Sequence, residues 1–244
     1  MASSSVAKIG ITVSTIFLLG LKPNVPLPTH ACTSLATKRG ETDILVAVHV
    51  DDLVIAGRRE KVDEFKHNIG QSYRMKDLCS LSRVLGIEVR CDRPNDTISI
   101  SPGGYIREVL ERFGFDECRG VPTPVEGKVK ISAPESADKP SEPKPLGARI
   151  VGSLTYASTG TRPDIAYAVY QAARRMQDPR REDFNTCKHI FRYLSTVPDL
   201  GITFSDKSNG HDLEGFFDSD WAEDFEDRKS TTAYVFKLNG GAIS

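Results

Sequence analysis

Asp51 and Asp52 stand side by side between two apolar runs, residues 44–50 and 53–57. Paired carboxylates on a tight turn repel one another unless a cation lies between them, and hard divalent cations take oxygen ligands. Such a pair can hold Mg²⁺ against a phosphate, the arrangement from which two-metal nucleotidyl transfer is built. The alternative is a solvated turn, because Asp is a common turn residue. Both flanking runs are rich in Val and Ile and read as strands, so the pair is predicted at or near the tip of a hairpin.

The elements that must position this tip follow from hydrophobic spacing. Val62, Phe65 and Ile69 share one face of a helix predicted over 59–72. Strands are predicted over 84–91 and 97–101, with a turn at 92–96. Four strands and one helix make an α+β unit. Ile106, Val109, Leu110 and Phe113 predict a helix over 105–113. Residues 120–145 carry six prolines among Lys, Glu and Ser and read as a linker. Helices are predicted over 150–160, 163–176 (with Pro163 in a first turn) and 184–194, then strands over 201–204, 213–217 and 231–238. The chain stops soon after that last strand, with no helix left to cover its sheet, and this reads as truncation.

A length of 244 residues allows one or two domains, and 39% hydrophobic with 27% charged residues is ordinary for a soluble globular protein with a core of useful size. Net charge is -1, but it is unevenly spread. Residues 58–93 hold nine Lys/Arg against six Asp/Glu, and residues 206–229 hold three against nine. A basic middle and an acidic end suit a phosphate-tracking surface followed by a metal-binding segment, or simply an uneven solvated surface. The five cysteines, Cys32, Cys79, Cys91, Cys118 and Cys187, show no zinc spacing and point to a reducing, intracellular setting, cytoplasmic or nuclear. The apolar run 9–21 is too short to span a bilayer, and no membrane partner is expected. It reads as a signal-peptide core, as a buried strand or helix, or as unrelated sequence joined by a misassigned start.

Several segments together resemble the Ty1/copia class of LTR-retrotransposon reverse transcriptases. Val48-His-Val-Asp-Asp-Leu-Val-Ile-Ala-Gly57 is similar to the catalytic hairpin of that class. So are, in the same order, Met75-Lys-Asp-Leu78 with Leu85-Gly-Ile-Glu-Val89, Tyr105–Phe113, and Val121-Pro-Thr-Pro124. Val151-Gly-Ser-Leu-Thr-Tyr156 with Thr161-Arg-Pro-Asp-Ile-Ala-Tyr-Ala-Val169, and Phe191-Arg-Tyr-Leu194 with Asp199-Leu-Gly-Ile202, resemble the segment after the polymerase. Phe217-Asp-Ser-Asp-Trp-Ala222 and residues 227–236 look like the opening of the element's RNase H domain. The likeness is collinear from about residue 43 to 244.

The resemblance implies an α+β fold with a partial polymerase palm whose antiparallel hairpin carries the Asp-Asp pair, a helical thumb and connection, and a truncated RNase H-like sheet. It implies these boundaries: an unassigned segment 1–42, the end of the palm at 43–101, a thumb-like helix and Pro-rich linker at 102–146, a helical connection at 147–210, and an RNase H-like start at 211–244. It implies Asp51 as a metal-holding carboxylate, Asp52 as its neighbour, and Asp218 as the first RNase H carboxylate. His49, Arg58 and Arg59 would contact nucleic acid. Mg²⁺ is the implied cofactor, and an RNA or DNA template-primer, dNTPs and the rest of a Pol polyprotein are the implied partners.

Departures from the class qualify this. His49 stands where the hairpin usually has Tyr, and it can stack and donate a hydrogen bond or be a satisfied, half-buried histidine. Residues 1–40 contain no Asp or Glu. Asp43 lies roughly 25 Å from Asp51 along the incoming strand, given a rise of about 3.3 Å per residue. No upstream acid therefore completes the polymerase site. Asp220 and Asp224 lie on the strand of Asp218 or the loop after it, and they read as surface acids in preference to replacements for the missing RNase H carboxylates. Four readings result: an inert copia-type fragment, a slice of an intact active Pol polyprotein, a non-catalytic nucleic-acid-binding module using Arg58, Arg59, Lys61, Arg174, Arg175, Arg180 and Arg181, and a secreted protein resting on residues 9–21.

Overall fold

The computed structural model describes residues 11–18, 30–36, 42–125, 144–174, 176, 181–205, 213–219 and 230–244. It is a mixed α/β chain with antiparallel sheets, divided into two units, Met1–Val84 and Leu85–Ser244.

In the first unit, β1 (Ile11–Leu18), β2 (His30–Ala36), β3 (Thr42–His49), β4 (Asp52–Arg58) and β5 (Met75–Ser80) form one sheet in the order β2-β3-β4-β1-β5. Its pairs are antiparallel. The hairpin is present as the alternation requires. Ile44 and Val46 on β3 and Leu53 and Ile55 on β4 point to one face and are buried. Helix α1 (Arg59–Ser72) covers that face with Val62, Phe65 and Ile69, so these residues form a single core. Burying each such side chain contributes about 1.5–3 kcal/mol, and that gain, rather than helix propensity, holds α1 on the sheet. Leu45, on the opposite face, is 47% exposed.

Two sequence expectations change here. The apolar run 9–21 contains a sheet strand, β1, which is one of the alternatives the sequence left open. The strand predicted over 84–91 is interrupted: β6 is only Arg83–Val84 and β7 is Ile87–Asp92. Positive φ angles at Leu85 (49°) and Gly86 (74°) turn the chain between them.

In the second unit, β7, β8 (Thr97–Ser101) and β9 (Ile202–Ser205) are successive antiparallel neighbours. Helices α2 (Gly103–Phe113), α3 (Lys144–Gly160), α4 (Ala166–Ala173) and α5 (Arg181–Thr196) pack around Ile106, Leu110, Leu154, Ile165, Ile190 and Phe191. The helix predicted over 163–176 opens instead as a 3-10 turn, Pro163–Ile165. Arg162, fully buried, sets that turn. Its Nε and Nη2 donate to the two oxygens of Asp164 at 2.9 and 2.8 Å, and Nη1 donates to the Val197 carbonyl at 2.8 Å. Tyr193 Oη donates to Asp164 at 2.8 Å, so the turn is tied to α5. A third sheet holds β10 (Leu213–Ser219), β11 (Thr232–Leu238) and β12 (Gly241–Ala242).

Candidate functional site

Strands β3 and β4 are joined by a two-residue turn, Val50–Asp51, closed by the register pair His49↔Asp52. Asp51 therefore lies in the turn itself and Asp52 opens β4. Both are half-buried. Val50 is 54% exposed and has φ 53°. A β-branched residue in the left-handed region is an outlier that costs roughly 1–3 kcal/mol, and such strain persists where surrounding structure enforces it. Here the sheet on both sides of the hairpin supplies the enforcement.

Register places a row of residues across the sheet beside this turn. His30 on β2 pairs with His49, His49 with Asp52, and Asp52 with Phe17 on β1. Since Leu53 and Ile55 face α1, Asp52 and its cross-strand partner His49 lie on the other face. The sequence alone did not reveal the row, because it depends on β1 and β2 being strands and on their register. Arg58 ends β4 and Arg59 begins α1, both exposed, which puts them at the far end of β4 from the aspartates.

Asp218 belongs to the second unit. It is exposed on β10 and pairs with Ala233 on β11. Asp220 and Asp224 lie outside the described residues, as do Arg175, Arg180 and the linker 126–143.

Among the described residues, no group of three or more His, Cys, Asp or Glu side chains could hold a metal ion. Asp51 and Asp52 are donors of the right hardness for Mg²⁺, which is often held by one or two carboxylates with water and phosphate oxygens completing the octahedron. Two carboxylates are fewer than a pair of ions needs. The strand next to β4 offers none: β1 reads Ile-Thr-Val-Ser-Thr-Ile-Phe-Leu.

A family described as "Reverse transcriptase (RNA-dependent DNA polymerase)" matches residues 27–127. The retrovirus-related Pol polyprotein from transposon TNT 1-94 of Nicotiana tabacum is 36% identical over 233 residues, covering 92% of this chain and 17% of the polyprotein. The Pol polyprotein from transposon RE1 of Arabidopsis thaliana is 35% identical over 208 residues, 85% of this chain and 14% of that protein. An uncharacterized mitochondrial protein of Arabidopsis thaliana is 30% identical over 198 residues, which are 81% of this chain and 80% of the relative. The chain thus corresponds to about a sixth of the polyproteins it matches. No solved structure matches. No helix among the described residues is long and apolar enough to cross a membrane.

Proposed function

Because this chain belongs to the copia-type reverse transcriptase family of retrotransposon Pol polyproteins, we propose that its Asp51–Asp52 turn is the metal-holding hairpin of a polymerase palm that does no DNA synthesis by itself. The observation that carries this is the turn itself: Asp51 lies in the two-residue turn, Asp52 opens β4 on the face away from α1, and β1, the strand paired with β4, contains no carboxylate in its sequence. Asp51 and Asp52 would hold Mg²⁺ together with the phosphates of a nucleoside triphosphate. When bound, the ion would neutralise charge building on the transferred and leaving phosphates. The chain's own part is to fix both carboxylates on a short, strained turn and to keep that turn rigid through the α1-backed core.

The remaining assignments belong to the same proposal. Residues 43–101 are the end of the palm, 102–146 the thumb-like helix and linker, 147–210 the connection and 211–244 the RNase H-like start, with Asp218 as its first carboxylate. His49 would lie beside a primer terminus, and Arg58 and Arg59 would track the phosphates of a template-primer. In this reading the two-ion chemistry of the parent polyprotein draws its third carboxylate from a strand that β1 does not reproduce.

Primer extension tests the proposal. The purified chain, given a primed RNA template, Mg²⁺ and dNTPs, is expected to incorporate no nucleotide. Incorporation that disappears in Asp51→Asn would overturn the inertness claimed here.

A further inference from the structure

Residues 119–125 of the second unit run as a strap along α5, in neither helix nor strand. Hydrogen bonds fasten its backbone to the helix. Arg192 Nε donates to the Arg119 carbonyl at 2.8 Å, and the Val121 N–H donates to the Arg192 carbonyl at 3.3 Å. Thr196 Oγ1 donates to the Val121 carbonyl at 3.2 Å, and His189 Nε2 to the Thr123 carbonyl at 2.9 Å. Thr123 itself is exposed. Its Oγ1 donates to the Val125 carbonyl at 3.0 Å, a local bond that can open without unfolding any helix or strand.

Pro124 follows Thr123. A proline there has no N–H to satisfy and biases the residue before it toward an extended backbone, the shape in which a substrate chain enters a kinase cleft. The chain has one other Ser/Thr-Pro step, Ser101-Pro102. Ser101 lies in β8, paired with Glu88 on β7. Its hydroxyl donates to the Asp199 carbonyl at 3.0 Å and accepts the Gly103 N–H at 3.2 Å, and Pro102 is buried. Presenting Ser101 to an enzyme would undo the β7–β8 pairing and the start of α2. Presenting Thr123 undoes no such element.

We propose that Thr123 is the acceptor of a proline-directed Ser/Thr kinase and that its phosphate tightens the strap on α5. The γ-phosphoryl of ATP passes to Thr123 Oγ1, the hydroxyl proton goes to the kinase's catalytic base, and ADP leaves. His189 and Arg192 stand three residues apart on one face of α5, and both already reach the strap. A phosphate arriving opposite such cations gains charge-assisted hydrogen bonds and orders the segment that carries it. The proposal does not depend on the role of Asp51 and Asp52.

The test is phosphorylation of the full chain with ATP and a mitogen-activated kinase chosen because it phosphorylates the free peptide of residues 118–128. Sites are then mapped by mass spectrometry. The folded chain is expected to carry phosphate at Thr123, with less than about a tenth as much at Ser101, since reaching Ser101 requires local unfolding. Thr123→Ser should keep the modification, and Thr123→Ala and Pro124→Ala should lose it. Amide exchange at Val121 should slow roughly fivefold in the phosphorylated chain. In a folded His189→Gln/Arg192→Gln variant, Thr123 should still accept phosphate but exchange at Val121 should no longer respond. Phosphate at Ser101 equal to that at Thr123, an unmodified Thr123 in the folded chain, or Val121 exchange that is unchanged or faster after phosphorylation overturns the proposal.

Discussion

Phe17 on β1 is the antiparallel partner of Asp52 on β4. The two positions therefore share a face, and facing residues on adjacent strands have Cβ atoms about 4.5–5.5 Å apart. Position 17 is thus the cross-strand neighbour of Asp52 in register, and the residue there is Phe, which offers no carboxylate. Phe17→Asp is accordingly expected to tighten Mn²⁺ binding by roughly tenfold, because oxygen-ligand sites are tuned by the charge they supply. Isothermal titration of parent and variant checks this. An unchanged affinity would mean that the turn is not where the ion sits.

Arg162 and Asp164 make the most buried ion pair described, with no solvent exposure at the arginine and 28% at the aspartate side chain. Asp164→Ala leaves the guanidinium buried and without its carboxylate. The cost is expected at roughly 3 kcal/mol, the low end for such pairs because Asp164 is partly solvated. Burial pushes the Asp164 carboxyl up, but the hydrogen bonds from Arg162 and Tyr193 outweigh it and hold it below its ordinary value. A depressed folded pKa gives stability that is complete above the unfolded value of about 3.9 and is lost as pH falls through the folded one. Urea titrations at neutral pH and near pH 3 should therefore show a smaller gap between parent and Asp164→Ala at the lower pH. A gap that widens on acidification would contradict the assignment.

Two glycines in the second unit should respond to alanine with opposite sign. A Cβ on Gly201 would lie 2.0 Å from the Ile100 carbonyl oxygen, where β8 and the entry to β9 run close together. Gly201→Ala is expected to destabilise by about 1–3 kcal/mol, the usual range for overpacking. Gly152 lies inside α3 facing open space, so Gly152→Ala should stabilise by about 0.5–1 kcal/mol through helix propensity. Denaturation midpoints decide between this ordering and its reverse.

Cys187 is 3% exposed on α5. Burial, with help from the nearby Asp183 charge, pushes its thiol up to about 12. Cys79 and Cys91 are exposed. Alkylation of the native chain at pH 8 followed by mass mapping should label the two exposed thiols and spare Cys187, since the thiolate is the reactive form. Rapid labelling of Cys187 under native conditions would show that the helical core around Phe191 opens readily.

The parts of this fold that were legible in the sequence are those where one face is apolar and the other polar. Helix α1 was readable from Val62, Phe65 and Ile69, and the β3–β4 hairpin from its paired β-branched runs. Strand β8 was bounded by turn residues on its incoming side. Strand β5 escaped because five of its six residues are exposed, and Met75-Lys-Asp-Leu-Cys-Ser carries no alternation to detect. Helix α3 begins at Lys144, earlier than its apolar spacing suggests, since Pro145 is tolerated in a first turn and Gly147 hides the period. The aspartate pair was legible as a turn between strands. Its cross-strand neighbours were not, because register is set by a whole sheet and one apolar run such as residues 11–18 fits a strand, a helix or a leader equally well.

The central claim is that the Asp51–Asp52 turn holds a divalent ion in company with a nucleotide's phosphates. Mn²⁺ broadening of backbone amide resonances in the full chain, with a nucleoside triphosphate present, reads this directly. The account predicts broadening centred on Val50, Asp51 and Asp52, reversed by excess Mg²⁺ and absent from Asp51→Asn/Asp52→Asn. Broadening centred elsewhere, or undiminished in that variant, would contradict it.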